Sequence, residues 1–151
     1  MVRVFLCGVG GAGKTTLAEK LMEKKELRGF GKIKEVARKV MQREQIRKAD
    51  LERDDRIFLR LQELVMEEQR SEEARCGRDL VSDRSLLDSL TYTYVRRGWN
   101  YTEKLMEQKK VHSDQHTSPH MTAGYCGVLG GIVPALTGGL GSSLVCILSE
   151  E

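Results

Sequence analysis

Near the amino terminus the chain reads Gly8-Val9-Gly10-Gly11-Ala12-Gly13-Lys14-Thr15. A glycine followed by four residues and then by Gly-Lys-Thr is the Walker A pattern of a phosphate-binding loop. Its glycines permit a tight turn in which successive backbone N–H groups point inward around a β-phosphate. We therefore predict that these residues bind a nucleoside triphosphate.

The sequence on either side of this loop supports the interpretation, because a phosphate-binding loop joins a buried strand to a helix. The apolar stretch Val2 to Cys7 predicts the strand. A helix is predicted over residues 14–25, and its start adds the positive end of a helix dipole to the phosphate site. Its apolar residues recur at helical spacing: Leu17, Ala18, Leu21 and Met22.

Three side chains at the end of the loop have distinct predicted roles. Lys14 supplies a mobile positive charge for the β- and γ-phosphates. The Thr15 hydroxyl is placed to ligate Mg²⁺, and Thr16 can reach the α-phosphate. A purine nucleotide, ATP or GTP, is thus the expected ligand and Mg²⁺ the expected cofactor.

Strands and helices alternate after the loop. Short strands are predicted at 33–36 and 80–81, and helices from residue 37 and over 54–75, 86–97 and 102–110. This alternation is typical of an α/β fold in which helical crossovers join the strands of a parallel sheet.

Charged residues follow two of the predicted strands, and ligands of such sheets bind at the carboxyl ends of the strands. Asp83 and Arg84 leave the strand at 80–81, where a carboxylate can hold Mg²⁺ and a guanidinium can bind phosphate. Glu35 lies on the acceptor side, where it can take a proton from a substrate hydroxyl, and Arg38 shares its face. The alternatives are that Asp83 only caps the next helix with Arg84 as its surface partner, and that Glu35 and Arg38 form a solvated helix start.

The composition changes sharply near Lys110. Every Lys and Arg lies at or before this residue, whereas both prolines, all three histidines and seven of the 15 glycines follow it. We predict a nucleotide-binding domain over residues 1–110 and a Gly-rich, low-complexity tail over 111–151 that is disordered or poorly packed. Pro134 and the clustered glycines make a transmembrane segment in the apolar part of this tail unexpected.

Other features of the composition narrow the function further. The net charge of +3 is too small to suggest nucleic acid as the main partner. The four cysteines lack the paired spacing of a metal site, and with no visible signal peptide we expect free thiols in a cytoplasmic protein. His112, His116 and His120 have helical spacing, but Pro119 opposes a helix there, so no metal site is expected.

Three segments, in this order, resemble the NadR/TRPL-translocation-defect type of AAA domain, a group of P-loop proteins related to nicotinamide riboside kinases. They are the phosphate-binding loop, the Glu-Val-Ala-Arg segment at 35–38, and residues 81–90, which read Val-Ser-Asp-Arg-Ser-Leu-Leu-Asp-Ser-Leu. The Asp-Arg-Ser element also resembles one in deoxynucleoside kinases. The resemblance covers residues 1–110 and implies a P-loop NTPase fold, a three-layer α/β/α sandwich, incomplete at its C-terminal side.

The resemblance implies binding of ATP or GTP with Mg²⁺ and, in kinase members, phosphate transfer to a nucleoside hydroxyl. Carried over by position, Lys14 and Thr15 serve the triphosphate and Mg²⁺, and Asp83 serves the metal. Arg84 serves the phosphates and Glu35 the acceptor hydroxyl.

Two alternatives stay open. Some members bind GTP and phosphoinositide head groups as trafficking factors, and a basic surface for this could be formed by Lys24, Lys25, Arg28, Lys32 and Lys34, although a solvated charged face also explains them. The arginine-bearing lid of the family has no counterpart after Lys110, so a truncated, inactive form is the second alternative. The missing strands leave the first strand at a sheet edge unless residues 144–148 pair with it.

Overall fold

A computed structural model describes residues 2–8, 11, 13–109 and the backbone of 144–149. Its sheet is built from β1 (Val2–Cys7), β2 (Gly31–Ile33), β3 (Leu80–Asp83) and β4 (Leu144–Ser149). The strands lie in the order β2-β3-β1-β4. β2, β3 and β1 are parallel, whereas β4 runs antiparallel to β1.

The sequence of β1 explains its position inside the sheet. Val4 and Leu6 pack on one face and Phe5 and Cys7 on the other, and all four are buried. Successive side chains of a strand point to opposite faces, so a continuous apolar run is stable only where both faces are covered. Helices therefore cover both sides of the sheet.

The helices form the two outer layers. Their bounds in chain order are α1 (Lys14–Met22), α2 (Val36–Arg43), α3 (Lys48–Arg53), α4 (Asp55–Cys76), α5 (Leu86–Arg97) and α6 (Trp99–Gln108), with a 3₁₀ turn at Lys25–Leu27. α1 covers one face of the sheet through Ala18, while α2 and α4 cover the other through Val40 and Leu61. A further cluster joins α4, α5 and α6 around Met66 and Leu90. The predicted α/β fold with a parallel sheet is confirmed and is consistent with a P-loop NTPase.

Element boundaries differ from the predictions in several places. α1 ends at Met22 rather than at residue 25, and the second strand ends at Ile33 because the chain turns into α2 at Val36. The last helix of the domain begins at Trp99, three residues before its predicted start. α3 was not predicted, since six residues with little apolar periodicity carry no clear helical signal. Leu17, one of the apolar residues of α1 at helical spacing, is 36% exposed.

β4 is the second neighbour of β1 in the sheet. The six residues of β4 pair antiparallel with all of β1, from Val2 opposite Ser149 to Cys7 opposite Leu144. The expectation that residues 144–148 could pair with the first strand is confirmed, and the backbone of β1 is hydrogen-bonded on both sides. The rest of the predicted tail, residues 111–143, lies outside the described residues, so the predicted division into domain and tail stays a prediction.

Candidate functional site

The parallel pairing of β1 with β3 brings the predicted site together. Leu6 lies opposite Asp83 in the register, so the ends of both strands reach the same edge of the sheet. The phosphate-binding loop leaves this edge after β1, and Arg84 leaves it after β3, with its backbone N–H donating to the Leu6 carbonyl at 3.1 Å. Gly8 and Arg84, which are 76 positions apart in sequence, thereby meet at one site.

The described glycines of the loop adopt conformations that favour glycine. Gly8 has φ 138°, Gly11 φ 81° and Gly13 φ 79°. Gly13 is the N-cap of α1. Because glycine has no side chain, it leaves the N–H groups of the first turn of α1 without a side-chain cap. This geometry suits the binding of an anion at the helix start. Val9, Gly10 and Ala12, also predicted to bind the nucleotide, lie outside the described residues.

Lys14 lies inside the loop rather than in solvent. Its side chain is buried, 5% exposed, and its Nζ donates to the Gly8 carbonyl at 2.9 Å. Burial lowers the pKa of Lys14, as does the nearby Arg84, while Asp88, Asp83 and Glu35 oppose part of this shift. A cation that is already desolvated interacts strongly with a phosphate that replaces the carbonyl.

Thr15 and Asp83 form the pair expected to hold the metal. The Thr15 hydroxyl donates to Asp83 Oδ2 at 2.5 Å, and Asp83 is 3% exposed at the end of β3. A hydroxyl and a carboxylate oxygen are donors that Mg²⁺ prefers, and this ion takes its other ligands from water and phosphates. The two residues therefore fit Mg²⁺, even though the described residues contain no group of three or more acidic, histidine or cysteine ligands.

Arg84 contacts several acceptors of the site. Its Nε donates to Glu35 Oε1 at 3.0 Å, and its Nη1 donates to Asp88 Oδ1 at 3.1 Å and to the Gly8 carbonyl at 3.3 Å. Burial lowers the pKa of Arg84, but Tyr92, Asp88 and Glu35 raise it by more, so its pKa lies above the ordinary value. The side chain is 15% exposed, which excludes the alternative that Arg84 is a surface partner.

Glu35 lies between two guanidinium groups. One carboxylate oxygen accepts from Arg84, and the other lies 2.7 Å from Nε of Arg38. The predicted common face of Glu35 and Arg38 is therefore confirmed, although the Arg38 side chain is 81% exposed. Glu35 is 17% exposed, as a residue facing a ligand cavity would be, and its carboxylate is joined to the loop through Arg84.

Asp88 is a central residue that the sequence reasoning missed. It accepts from the Gly8 N–H at 3.3 Å, from the Ser85 N–H at 3.0 Å and from Arg84. Ser85 is the N-cap of α5, so the alternative that Asp83 caps this helix is wrong. The Ser-x-x-Asp spacing of Ser85 and Asp88 is the signature of a capping box and could have revealed this pair.

These residues line a cavity of about 940 Å³. Its wall includes Lys14, Thr15 and Thr16 of the phosphate-binding loop together with side chains of α2, α3 and α4. Asp83, Arg84 and Glu35 lie along the same cavity. It is large enough to take a small molecule in addition to phosphate groups.

Comparison with known proteins supports the nucleotide site. A family model for an AAA domain matches residues 3–121. The chain belongs to this AAA domain family. An AAA domain of this kind is a nucleotide-binding P-loop NTPase domain, so the coarser part of the predicted function is confirmed. No curated protein and no solved structure matches the chain, and the narrower resemblance to the NadR group stays a prediction.

Several predictions fall partly or wholly outside the described residues of this AAA domain. Cys76 is a free thiol, as expected, and the Cys7 thiol lies 3.0 Å from the Ser85 hydroxyl, but the side chains of the other two cysteines are not described. The same holds for the three histidines at 112–120. Among the described helices, none is long and apolar enough to cross a membrane. The five basic residues of the alternative surface are exposed, and within the described part of the chain they form no ion pair with a carboxylate.

Proposed function

We propose that this protein binds ATP or GTP with Mg²⁺ and transfers the γ-phosphoryl group to a hydroxyl of a nucleoside-type small molecule. One observation carries the proposal: the phosphate-binding loop and Glu35 line the same cavity as side chains of α2, α3 and α4. Its volume of about 940 Å³ can take an acceptor beside the phosphate groups, with a carboxylate on the wall.

The loop residues have the roles that triphosphate binding requires. Lys14 leaves the Gly8 carbonyl for the β- and γ-phosphates, and the backbone N–H groups at the start of α1 bind the same anion. Thr15 and Asp83 hold Mg²⁺, which when bound neutralises charge on the β- and γ-phosphates.

Arg84 and Glu35 supply the remaining groups of the transfer. The acceptor hydroxyl oxygen forms the new bond to the γ-phosphorus as the bond to the β-phosphate oxygen breaks, and the hydroxyl proton passes to the Glu35 carboxylate. Arg84, which already contacts both Glu35 and the loop, stabilises charge on the transferred group. The products are a nucleoside diphosphate and a phosphate monoester.

Calorimetry with ATP and GTP, each with and without Mg²⁺, tests the nucleotide step. Wild-type protein is expected to bind at least one of them more tightly with Mg²⁺. Lys14→Ala weakens binding by about tenfold or more, because it removes a desolvated charge from the phosphates. Lys20→Ala, on the exposed side of α1, is the matched control and keeps wild-type affinity. Absence of binding in folded wild-type protein contradicts the proposal.

A phosphorylation screen with ribosides tests the transfer step. Wild-type protein forms a phosphate monoester from at least one riboside, and Glu35→Gln lowers kcat by about 10²-fold or more, since the amide cannot accept the proton. Glu26→Gln, an exposed change of the same kind, leaves the rate unchanged.

The other two interpretations give different results in the same assays. A nucleotide-dependent binding protein binds ATP or GTP without forming product, and it is retained on phosphoinositide vesicles or by a protein partner only when nucleotide is present. A truncated, inactive form binds nucleotide at best and does neither.

A further inference from the structure

The main chain of Arg84 is held by hydrogen bonds on both sides. Its φ of 97° lies in the left-handed region, which is unfavourable for an L-residue. The backbone N–H donates to the Leu6 carbonyl at 3.1 Å, and the Arg84 carbonyl accepts from Ser82 Oγ at 2.7 Å. A strained residue persists only where its surroundings hold it in place. These two hydrogen bonds therefore oppose relaxation of Arg84 to an ordinary conformation.

Ser82 places a hydroxyl in an otherwise apolar part of the sheet. It lies in β3 opposite Phe5 of β1 and Ile33 of β2, and residues paired in register point to the same face. Phe5 and Ile33 are buried in the cluster that the sheet forms with α2 and α4, and Ser82 itself is fully buried. A hydroxyl costs free energy in such a position unless it is hydrogen-bonded. Packing alone therefore does not explain a serine here.

Gln69 sets the direction of the hydrogen bond from Ser82. It lies on α4, is 2% exposed, and its Nε2 donates to Ser82 Oγ at 3.0 Å and to Glu73 Oε1 at 2.9 Å. A serine hydroxyl carries a single proton. Because the Ser82 oxygen accepts from Gln69, that proton is directed to the Arg84 carbonyl. Gln69 also lines the cavity, but both hydrogens of its amide are engaged within the protein.

The contacts of the Arg84 side chain depend on this backbone conformation. The guanidinium donates to Glu35, to Asp88 and to the Gly8 carbonyl. A change to an ordinary negative φ rotates the chain about the N–Cα bond and gives the side chain a different direction. The guanidinium then moves away from these acceptors. The hydroxyl that fixes the Arg84 carbonyl thus also fixes where the guanidinium lies.

We propose that Ser82, oriented by Gln69, is a positioning residue for phosphoryl transfer: its hydroxyl holds the Arg84 carbonyl and thereby keeps the guanidinium directed at Glu35 and the phosphate-binding loop. This inference rests on the proposed function and names the residues that position its arginine. Ser82 is not among the described residues that line the cavity, so it acts through Arg84.

Steady-state kinetics of the full chain, with Mg²⁺, ATP or GTP and the riboside that is phosphorylated fastest, test the inference. Ser82→Ala lowers kcat by about tenfold or more and leaves KM for the nucleotide within about twofold, because Lys14 and the loop still bind the phosphates. Gln69→Met lowers kcat by about threefold or more, since the Ser82 hydroxyl is then no longer oriented. In an Arg84→Ala background, Ser82→Ala has no further effect on kcat, because no guanidinium remains to be positioned.

Thr102→Val is the matched control. Thr102 is also fully buried, and its hydroxyl donates to a backbone carbonyl, that of Gly98, at 3.0 Å. It lies on α6 and is not among the described residues of the cavity wall. Removal of this hydroxyl is expected to lower stability, as removal of the Ser82 hydroxyl does, but to leave kcat at the wild-type value. Equal losses of kcat in the two variants would contradict a specific role of Ser82.

Nuclear magnetic resonance tests the position of the guanidinium without turnover. The Arg84 Nε–H donates to Glu35 Oε1 at 3.0 Å, so its ¹H–¹⁵N signal is expected to be protected from exchange with water. Arg84→Lys assigns this signal by its disappearance. Ser82→Ala raises the exchange rate of the signal by about tenfold or more, whereas Thr102→Val leaves the rate unchanged. If Ser82→Ala does not fold, as judged by circular dichroism, Ser82→Cys replaces it and gives smaller changes in the same direction, because a thiol is a weak donor.

The inference is overturned if a folded Ser82 variant keeps the wild-type kcat or the wild-type exchange rate of the Arg84 Nε–H. It is also overturned if Ser82→Ala slows the reaction by the same factor with and without the Arg84 side chain. Absence of riboside phosphorylation by wild-type protein instead removes the proposed function, while the exchange measurement still decides whether Ser82 holds Arg84 in place.

Discussion

Arg84 has a backbone conformation that L-residues rarely adopt. Its φ is 97°, in the left-handed region, where the side chain of a non-glycine residue costs about 1–2 kcal/mol. The conformation directs the guanidinium toward Glu35, Asp88 and the Gly8 carbonyl. Strained residues with several contacts are typical of functional sites, so we expect that Arg84 is retained for function rather than for stability.

A pair of variants separates the strain from the contacts. Arg84→Ala and Arg84→Gly both remove the guanidinium, but only glycine adopts φ 97° without strain. The glycine variant is expected to be the more stable of the two by up to about 1 kcal/mol, after the greater flexibility of its unfolded chain is subtracted. Urea denaturation of both variants measures this difference, and greater stability of the alanine variant would contradict the strain.

Glu73 gives the protein a pH dependence of stability. Burial raises the pKa of this carboxyl, while the hydrogen bond from Gln69 and the nearby Arg3 and Arg70 lower it by less. The folded state therefore binds the proton more tightly than the unfolded state. As the pH rises from the unfolded pKa through the folded one, the charged form is buried and stability is lost.

Glu73→Gln removes this titration and is expected to gain stability relative to wild type as the pH rises. Denaturation of both proteins between pH 4 and pH 8, taken as a difference at each pH, cancels the contributions of other carboxylates. The difference in the free energy of unfolding, Glu73→Gln minus wild type, grows with pH if the burial of the Glu73 carboxylate outweighs its favourable contacts. It shrinks with pH if the contact between Glu73 and Arg3, at 3.8 Å, dominates instead.

At the scale of elements, α5 positions the site through its first turn. Ser85 Oγ accepts from the Leu87 N–H at 3.1 Å, and Asp88 accepts from the Ser85 N–H, which completes a capping box. The Cys7 thiol lies 3.0 Å from the same hydroxyl, so the cap also joins α5 to the end of β1. Ser85 and Asp88 thereby connect the start of α5 to the end of β1, to the phosphate-binding loop and to Arg84.

Ser85→Ala removes the cap and is expected to lower the free energy of unfolding by about 1 kcal/mol. The matched control is Ser71→Ala, an exposed position within α4, where alanine is a better helix former and stability stays within about 0.5 kcal/mol. Urea denaturation measures both changes. Equal effects of the two substitutions would show that the cap contributes nothing specific.

At the scale of the whole molecule, β4 completes the hydrogen bonding of β1. Without it, the six residues of β1 would present unpaired backbone groups at a sheet edge. Such edges with apolar sequences promote pairing between molecules. The strand that carries the phosphate-binding loop therefore depends on residues more than 130 positions away, Leu144–Ser149.

Deletion of residues 144–151 is expected to lower the thermal midpoint and to promote self-association, because it exposes the edge of β1. Deletion of residues 150–151 alone keeps β4 and is expected to behave like wild type. Circular dichroism melting and light scattering after size-exclusion chromatography measure both effects. Unchanged melting and a monomer after the longer deletion would show that β4 does not protect the edge.

Local sequence patterns were sufficient to predict those parts of the structure that are determined by residues close together in the sequence. The loop, its strand and helix, and the residues 83–85 at the start of α5 are each specified within a few positions, by glycine dihedral angles, apolar periodicity and capping. Only the tertiary structure placed Asp88 on the Gly8 N–H, 80 positions away, and Gln69 on the Ser82 hydroxyl. The physical reason is that such contacts follow from strand register and helix packing, which join distant elements and leave no periodic signal in the chain.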